Sequence, residues 1–138
     1  MKKLAKKLNL TERINFVGSV KQEVLYNYYQ LADLFILPTR YLEGFGLVTL
    51  EAMASGLPVL GTPVGGTTEI LSKFDKNFLF SGVDPQSMAK KISEFLNSKP
   101  DLVRLGLRCR EFVLQEYSQE KWLDRIESFL TAVYNGRK

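Results

Sequence analysis

The sequence has no histidine and a single cysteine, Cys109. Without histidine, the chain cannot build a Ser-His-Asp triad or a His-assisted metal site from its own residues. One cysteine closes no intrachain disulfide and forms no thiolate cluster, so Cys109 reads as a small apolar residue on a helix. No Asp-x-Asp pair occurs, and we expect no bound metal and no cofactor. The phosphate loop Gly-x4-Gly-Lys-[Ser/Thr] is also missing, which argues against a P-loop nucleotidase. No apolar stretch reaches the roughly 18–20 residues of a membrane span. The basic start, Met1-Lys2-Lys3-Leu4-Ala5-Lys6-Lys7-Leu8, lacks the apolar region of a signal peptide. Together with the scarcity of cysteine, this leads us to expect a cytoplasmic setting.

What is present is ordinary for a globular chain. Of 138 residues, 45% are hydrophobic and 25% charged, so we expect one domain over residues 1–138 with a usable core. The net charge of +4 comes from 19 Lys+Arg against 15 Asp+Glu. The basic residues are scattered after Lys7 with no interleaved aromatics, so they read as a solvated surface and no nucleic-acid partner is expected. The basic amphipathic segment at 2–8 leaves open a peripheral contact at the inner membrane face. It is too short to anchor the chain, and a solvated face explains it more simply.

Apolar periodicity alternates between strand and helix signals. Leu4 and Leu8 share one face of a short helix that Asn9 can end. Residues 15–20 read as a strand ending near Gly18, and residues 21–32 as a helix with Val24, Leu25, Tyr28, Leu31 and Ala32 inward. Residues 33–38 form a continuous apolar run, expected as a strand buried on both faces of a parallel sheet. A helix from about Gly46 to Ser55 is closed by Gly56, and a short buried strand follows at 58–61. Thr67 or Thr68 is expected to cap a brief helix, and residues 77–80 to form the last strand. Three helices complete the chain. Asp84 before Pro85 starts the first, residues 101–117 form the second, and the third starts near Ser118 with Trp122, Ile126, Phe129 and Leu130 on its apolar face. This order predicts an α/β fold, a Rossmann-like parallel sheet flanked by helices, with any ligand site at one edge of the sheet. Gly18-Ser19-Val20 lacks the Gly-x-Gly-x-x-Gly fingerprint, which argues against a dinucleotide-binding domain.

The segment from Pro38 to Val59 carries the chemistry. A strand ends at Pro38, and Gly44 and Gly46 then let backbone approach another group closely. The first N–H groups of the next helix have no internal partners and attract anions, phosphate most readily. Glu51 lies seven residues after Gly44, which on a continuous helix is two turns or about 10 Å along the axis. A diphosphate at the helix start would thus place an attached ribose near Glu51, whose carboxylate can accept from two neighbouring hydroxyls. Glu43, before the helix, would repel the same anion and is better used on a sugar beyond it. On spacing alone, Glu43 could instead favour the positive helix end and Glu51 could be a solvated helical residue.

The pattern Glu43-Gly44-Phe45-Gly46-Leu47-Val48-Thr49-Leu50-Glu51 resembles the retaining GT-B glycosyltransferases of family 4, whose hallmark is two glutamates separated by seven residues. Ala52-Met53-Ala54-Ser55-Gly56-Leu57-Pro58-Val59 and Gly61-Thr62-Pro63-Val64-Gly65-Gly66-Thr67-Thr68-Glu69 are similar to the family pattern as well. So is Ile14-Asn15-Phe16-Val17-Gly18-Ser19-Val20, upstream. The resemblance spans about residues 10–125. It implies the C-terminal half of a GT-B fold, with a nucleoside-diphosphate sugar as substrate and no metal. Glu51 would bind the ribose, and Glu43 the donor sugar as the catalytic candidate. Backbone of Gly44, Phe45, Gly46 and Leu47 would meet sugar and phosphates, and backbone from Gly18 to Val20 the base. Glu69 reads as structural.

The chain departs from the family by lacking the Arg and Lys that usually hold the diphosphate ahead of the residue-15 strand, and by lacking the acceptor domain. We therefore expect a donor-binding domain of a hexosyltransferase, inactive alone, whose acceptor domain or subunit is missing. The alternative is a non-catalytic nucleotide-sugar-binding subunit that docks on a separate acceptor-binding protein. The tyrosines at 26, 28 and 29 read as packing.

Overall fold

The computed structural model describes residues 1–136. In chain order the elements are α1 (Lys2–Lys7), α2 (Gln22–Leu31), β1 (Phe35–Leu37), α3 (Leu47–Ala54), β2 (Val59–Gly61), α4 (Gly65–Phe74), α5 (Pro85–Asn97), α6 (Leu102–Tyr117) and α7 (Gln119–Asn135). Short 3-10 turns occur at Thr11–Arg13 and Lys76–Phe78. Among the described residues, no helix is long and apolar enough to cross a membrane.

The sheet is parallel, with Phe35 opposite Val59, Ile36 opposite Leu60 and Leu37 opposite Gly61. One parallel bridge between Gly61 and Leu79 extends it on the far side of β2. That bridge is what remains of the strand expected at 77–80. The Asp75 carboxylate accepts from the Asn77 N–H at 2.9 Å and coils residues 76–78 into a turn. The strand expected at 15–20 does not form: among the described residues no ladder includes the segment, and Gly18 at φ 78° and a bend at Ser19 break its course. Strand propensity needs an edge to pair with, and β1 is left as an edge. This explains why β1 is half-buried where burial on both faces was expected, while β2, with a neighbour on each side, is fully buried.

The core gathers Met53, Leu57, Val59, Leu60, Ile70 and Leu71 around the two strands. Full burial of each such side chain contributes about 1.5–3 kcal/mol. Cys109 of α6 lies within it, fully buried. α6 crosses α3 with Gly106 against the backbone of Gly56, where a Cβ would stand 2.2 Å from the Gly56 carbonyl oxygen.

Helix starts were legible where a side chain makes the cap. Asp84 accepts from the Ser87 N–H at 2.9 Å, Asp101 from the Arg104 N–H at 3.0 Å, and Ser118 from the Lys121 N–H at 3.4 Å. α4 departs from this. It starts at Gly65 without a side-chain cap, and Thr67 lies inside it, its hydroxyl 3.0 Å from that of buried Thr49. Asn9, at φ 55°, ends α1 as expected, but Ala5 is the buried residue there while Leu4 and Leu8 stay exposed. α2 is rotated relative to the expected face: Leu25 and Tyr29 turn inward, and Val24, Tyr28 and Leu31 are exposed. On α7 the stripe of Trp122, Ile126, Phe129 and Leu130 is present but exposed, Phe129 at 67%.

Candidate functional site

The C-terminal ends of β1 and β2 release two loops on one edge of the sheet. One runs through residues 38–46 into α3, the other through 62–64 into α4. Backbone and threonine hydrogen bonds join them. The Thr62 N–H donates to the Leu37 carbonyl at 3.2 Å, and the buried Thr62 hydroxyl donates to the Thr39 carbonyl at 2.6 Å. The Gly66 N–H donates to the Gly44 carbonyl at 3.0 Å. The approach is too close for side chains: a Cβ on Gly65 would lie 1.8 Å from the Glu43 carbonyl oxygen, and one on Gly66 would lie 2.2 Å from that of Phe45. The first turn of α4 thus rests directly on the loop that leads into α3, which Gly46 caps in a left-handed conformation. Neither helix has an acidic residue in its first turn. Both positive helix ends are therefore left uncompensated by their own side chains.

Two carboxylates lie on the loop and the helix that follow β1. Glu43 sits in the loop, half-buried, and accepts from the Thr39 hydroxyl at 3.4 Å. Glu51 lies on α3, also half-buried, and accepts from the Tyr29 hydroxyl at 3.3 Å. The helix begins at Leu47 and not near Gly44. Glu51 is therefore one turn in, about 6 Å along the axis, closer than the expected spacing. Gly44 lies in the loop, because its carbonyl is committed to Gly66. Among the described residues each glutamate side chain receives one hydrogen bond, and each keeps acceptor capacity for ligand hydroxyls. The Tyr29 phenol is pushed up to about 12, first by burial and then by the charge of Glu51, so it stays a protonated donor.

Among the residues read from the sequence, Glu43, Gly44 and Phe45 lie in the loop before α3, Gly46 is its buried N-cap, and Leu47 and Glu51 fall in its first two turns, with Phe45 and Leu47 exposed. Gly18 and Val20 do not join them by hydrogen bonds among the described residues. They lie on the irregular segment that enters α2 at Lys21, roughly 12 Å along that helix from Tyr29. A groove of about 560 Å³ opens beside the start of α3, lined by Phe45, Leu47, Leu50, Glu69, Tyr117 and Trp122. Tyr29, Thr39 and Thr62 were not read as site residues. Their partners are 22, 4 and 23 residues away in the chain, and only the Thr39–Glu43 spacing could have been noticed in the sequence.

The chain is 33% identical over 135 residues to N-acetyl-alpha-D-glucosaminyl L-malate synthase of Bacillus anthracis, covering 98% of this chain and 35% of that protein. It is 28% identical over 136 residues to a GDP-mannose-dependent alpha-(1-6)-phosphatidylinositol monomannoside mannosyltransferase of Mycobacterium tuberculosis, covering 94% and 35%. The chain thus spans about a third of the length of these relatives. Its structure superimposes on sucrose-phosphate synthase from Thermosynechococcus elongatus with a TM-score of 0.80 at 29% identity, over 98% of this chain and 34% of that one. This is the α/β, C-terminal half of the GT-B glycosyltransferase fold, as expected. A family profile described as glycosyl transferases group 1 matches residues 1–112, and the chain belongs to that family.

Proposed function

We propose that the loop between β1 and α3 is the donor site of a retaining glycosyltransferase. The transferred group is a hexose, carried from a nucleoside-diphosphate sugar to an acceptor hydroxyl on a glycan, polysaccharide or lipid. The observation that carries this reading is that Glu43 precedes, and Glu51 follows by one turn, a helix start without a side-chain cap at the C-terminal edge of a parallel sheet. Open α/β sheets bind ligands outside the carboxyl ends of their strands, and a helix N-terminus favours phosphate. The relative from M. tuberculosis is described as GDP-mannose-dependent, which supports a nucleoside-diphosphate donor here.

In this reading the diphosphate lies at the start of α3, where backbone dipoles stabilise the charge that develops on the leaving group. Glu51 accepts from the ribose hydroxyls, and Glu43 holds the hexose beyond the phosphates. The backbone of residues 44–47 contacts sugar and phosphate, and that of residues 18–20 faces the base. Transfer needs an acceptor-binding part in addition to these residues, since relatives of this chain are about three times as long.

The two glutamates separate in titration calorimetry. Glu51→Gln should weaken both the nucleoside diphosphate and the complete nucleotide sugar, by about 1.5–3 kcal/mol for loss of a charged hydrogen bond. Glu43→Gln should weaken the nucleotide sugar and leave the nucleoside diphosphate nearly unchanged. Equal losses for both ligands in both variants would show that the roles are not divided this way. Unchanged binding in two folded variants would place the donor elsewhere.

A further inference from the structure

Tyr29 is only 5% exposed and reaches Glu51 from a different helix, 22 residues earlier in the chain. Its ring stands edge-on to Phe35 of β1, with centroids 5.8 Å apart and planes at 79°. A phenylalanine would fill that space equally well. What the tyrosine adds is a hydroxyl 3.3 Å from Oε2 of Glu51. A buried hydroxyl requires a partner, but Glu51 does not require this one. It is half-exposed, and water could satisfy it. A glutamate on a helix surface has several side-chain rotamers, and a donor fixed in the core at one carboxylate oxygen selects among them.

We propose that Tyr29 is the positioning residue for Glu51: its hydroxyl holds the carboxylate in the one orientation that presents the remaining lone pairs to two vicinal hydroxyls of a ribose. This rests on the donor-site reading above. The same helix joins the segment carrying Gly18 and Val20 to Tyr29. A shift of α2 would therefore move the hydroxyl of Tyr29 and that segment together.

The test uses the full chain in titration calorimetry, with UDP, GDP and ADP as nucleoside diphosphates and inorganic pyrophosphate as the probe without ribose. Tyr29→Phe keeps the ring and its packing. It should weaken the best-bound nucleoside diphosphate by roughly 3–10-fold, the range for loss of a single weak hydrogen bond, and leave pyrophosphate unchanged. In a Glu51→Gln background it should cost nothing further. Glu51→Asp leaves position 29 untouched and withdraws the carboxylate from the hydroxyl, so it should lose the same preference for nucleoside diphosphate over pyrophosphate. If Glu51→Gln weakens the nucleotide while Tyr29→Phe does not, the positioning role is wrong and the donor site stands. Parallel losses of pyrophosphate affinity, or additivity with Glu51→Gln, would mark Tyr29 as structural and overturn the proposal. If Glu51→Gln has no effect, or no probe binds, the donor-site reading falls and Tyr29 with it.

Discussion

At the residue scale, the site depends on the absence of side chains as much as on their presence. Gly66 packs its Cα where a methyl group would stand 2.2 Å from one backbone oxygen and 2.8 Å from another, those of Phe45 and Gly44. Backbone cannot rotate away as a side-chain tip can. Gly66→Ala should therefore cost about 1–3 kcal/mol in chemical denaturation, the range for overpacking a filled interior, and should also disturb the start of α3. Gly44 is the control, because a Cβ there meets nothing within 4 Å. Gly44→Ala should change stability by no more than about 0.5 kcal/mol. Equal losses in the two variants would mean that the tight approach of α4 to the loop is not what Gly66 serves. The glycine and glutamate positions were legible in the sequence, because loop-then-helix punctuation and local spacing reveal them. Tyr29 was legible only as packing. The Tyr29–Glu51 contact links residues 22 apart, and helical periodicity within a single element carries no information about such a pair.

At the element scale, legibility followed the origin of each signal. α5, α6 and α7 begin at Asp84, Asp101 and Ser118 as read, because an N-cap is a bond between residues three apart in the chain. The strand at 15–20 was misread and the strand at 77–80 shrank to a bridge, because a strand is completed by a neighbour that its own residues do not name. The inward face of α2 was misjudged by one position for the same reason: Phe35 and Glu51 select Tyr29, not Tyr28. The Asp84 cap also gives a pH dependence. Its hydrogen bonds with Ser87 hold the carboxyl below the usual carboxylate range. A depressed folded pKa contributes stability that is present above the unfolded value and is lost as pH falls through the folded one. Asp84→Ala should lower the melting temperature at neutral pH, and the gap to the parent chain should close on acidification below the ordinary aspartate range. A gap that persists at low pH would assign the stabilisation to something other than the ionised cap.

At the scale of the whole molecule, the two helix starts follow the strand ends on one edge of the sheet, with Glu43 in the loop before α3 and Glu51 one turn into it, and α6 packs against α3. α6 contributes Leu105, Cys109 and Val113 to the core, and with them the chain's only thiol. Burial raises the Cys109 thiol from its ordinary value of 9.0 to about 12. In the unfolded chain the thiol ionises from about pH 9 upward, whereas in the fold it does not. Ionisation therefore draws the equilibrium toward unfolding as pH rises above the unfolded value.

The fully buried sulfur also gives the molecule an internal clock. A thiol reagent can reach Cys109 only when α6 leaves the core, so the rate of labelling counts openings of the fold one molecule at a time. With an aromatic disulfide reagent at neutral pH, the native chain should show one slow phase, and the denaturant-unfolded chain should react at once. Gly66→Ala should speed the slow phase in proportion to the stability it removes. A ligand that binds the native loop should slow it further by mass action. Rapid labelling of the native chain would show that α6 breathes independently of the rest. Because there is no second cysteine to report a different region, every count refers to the same place in the core.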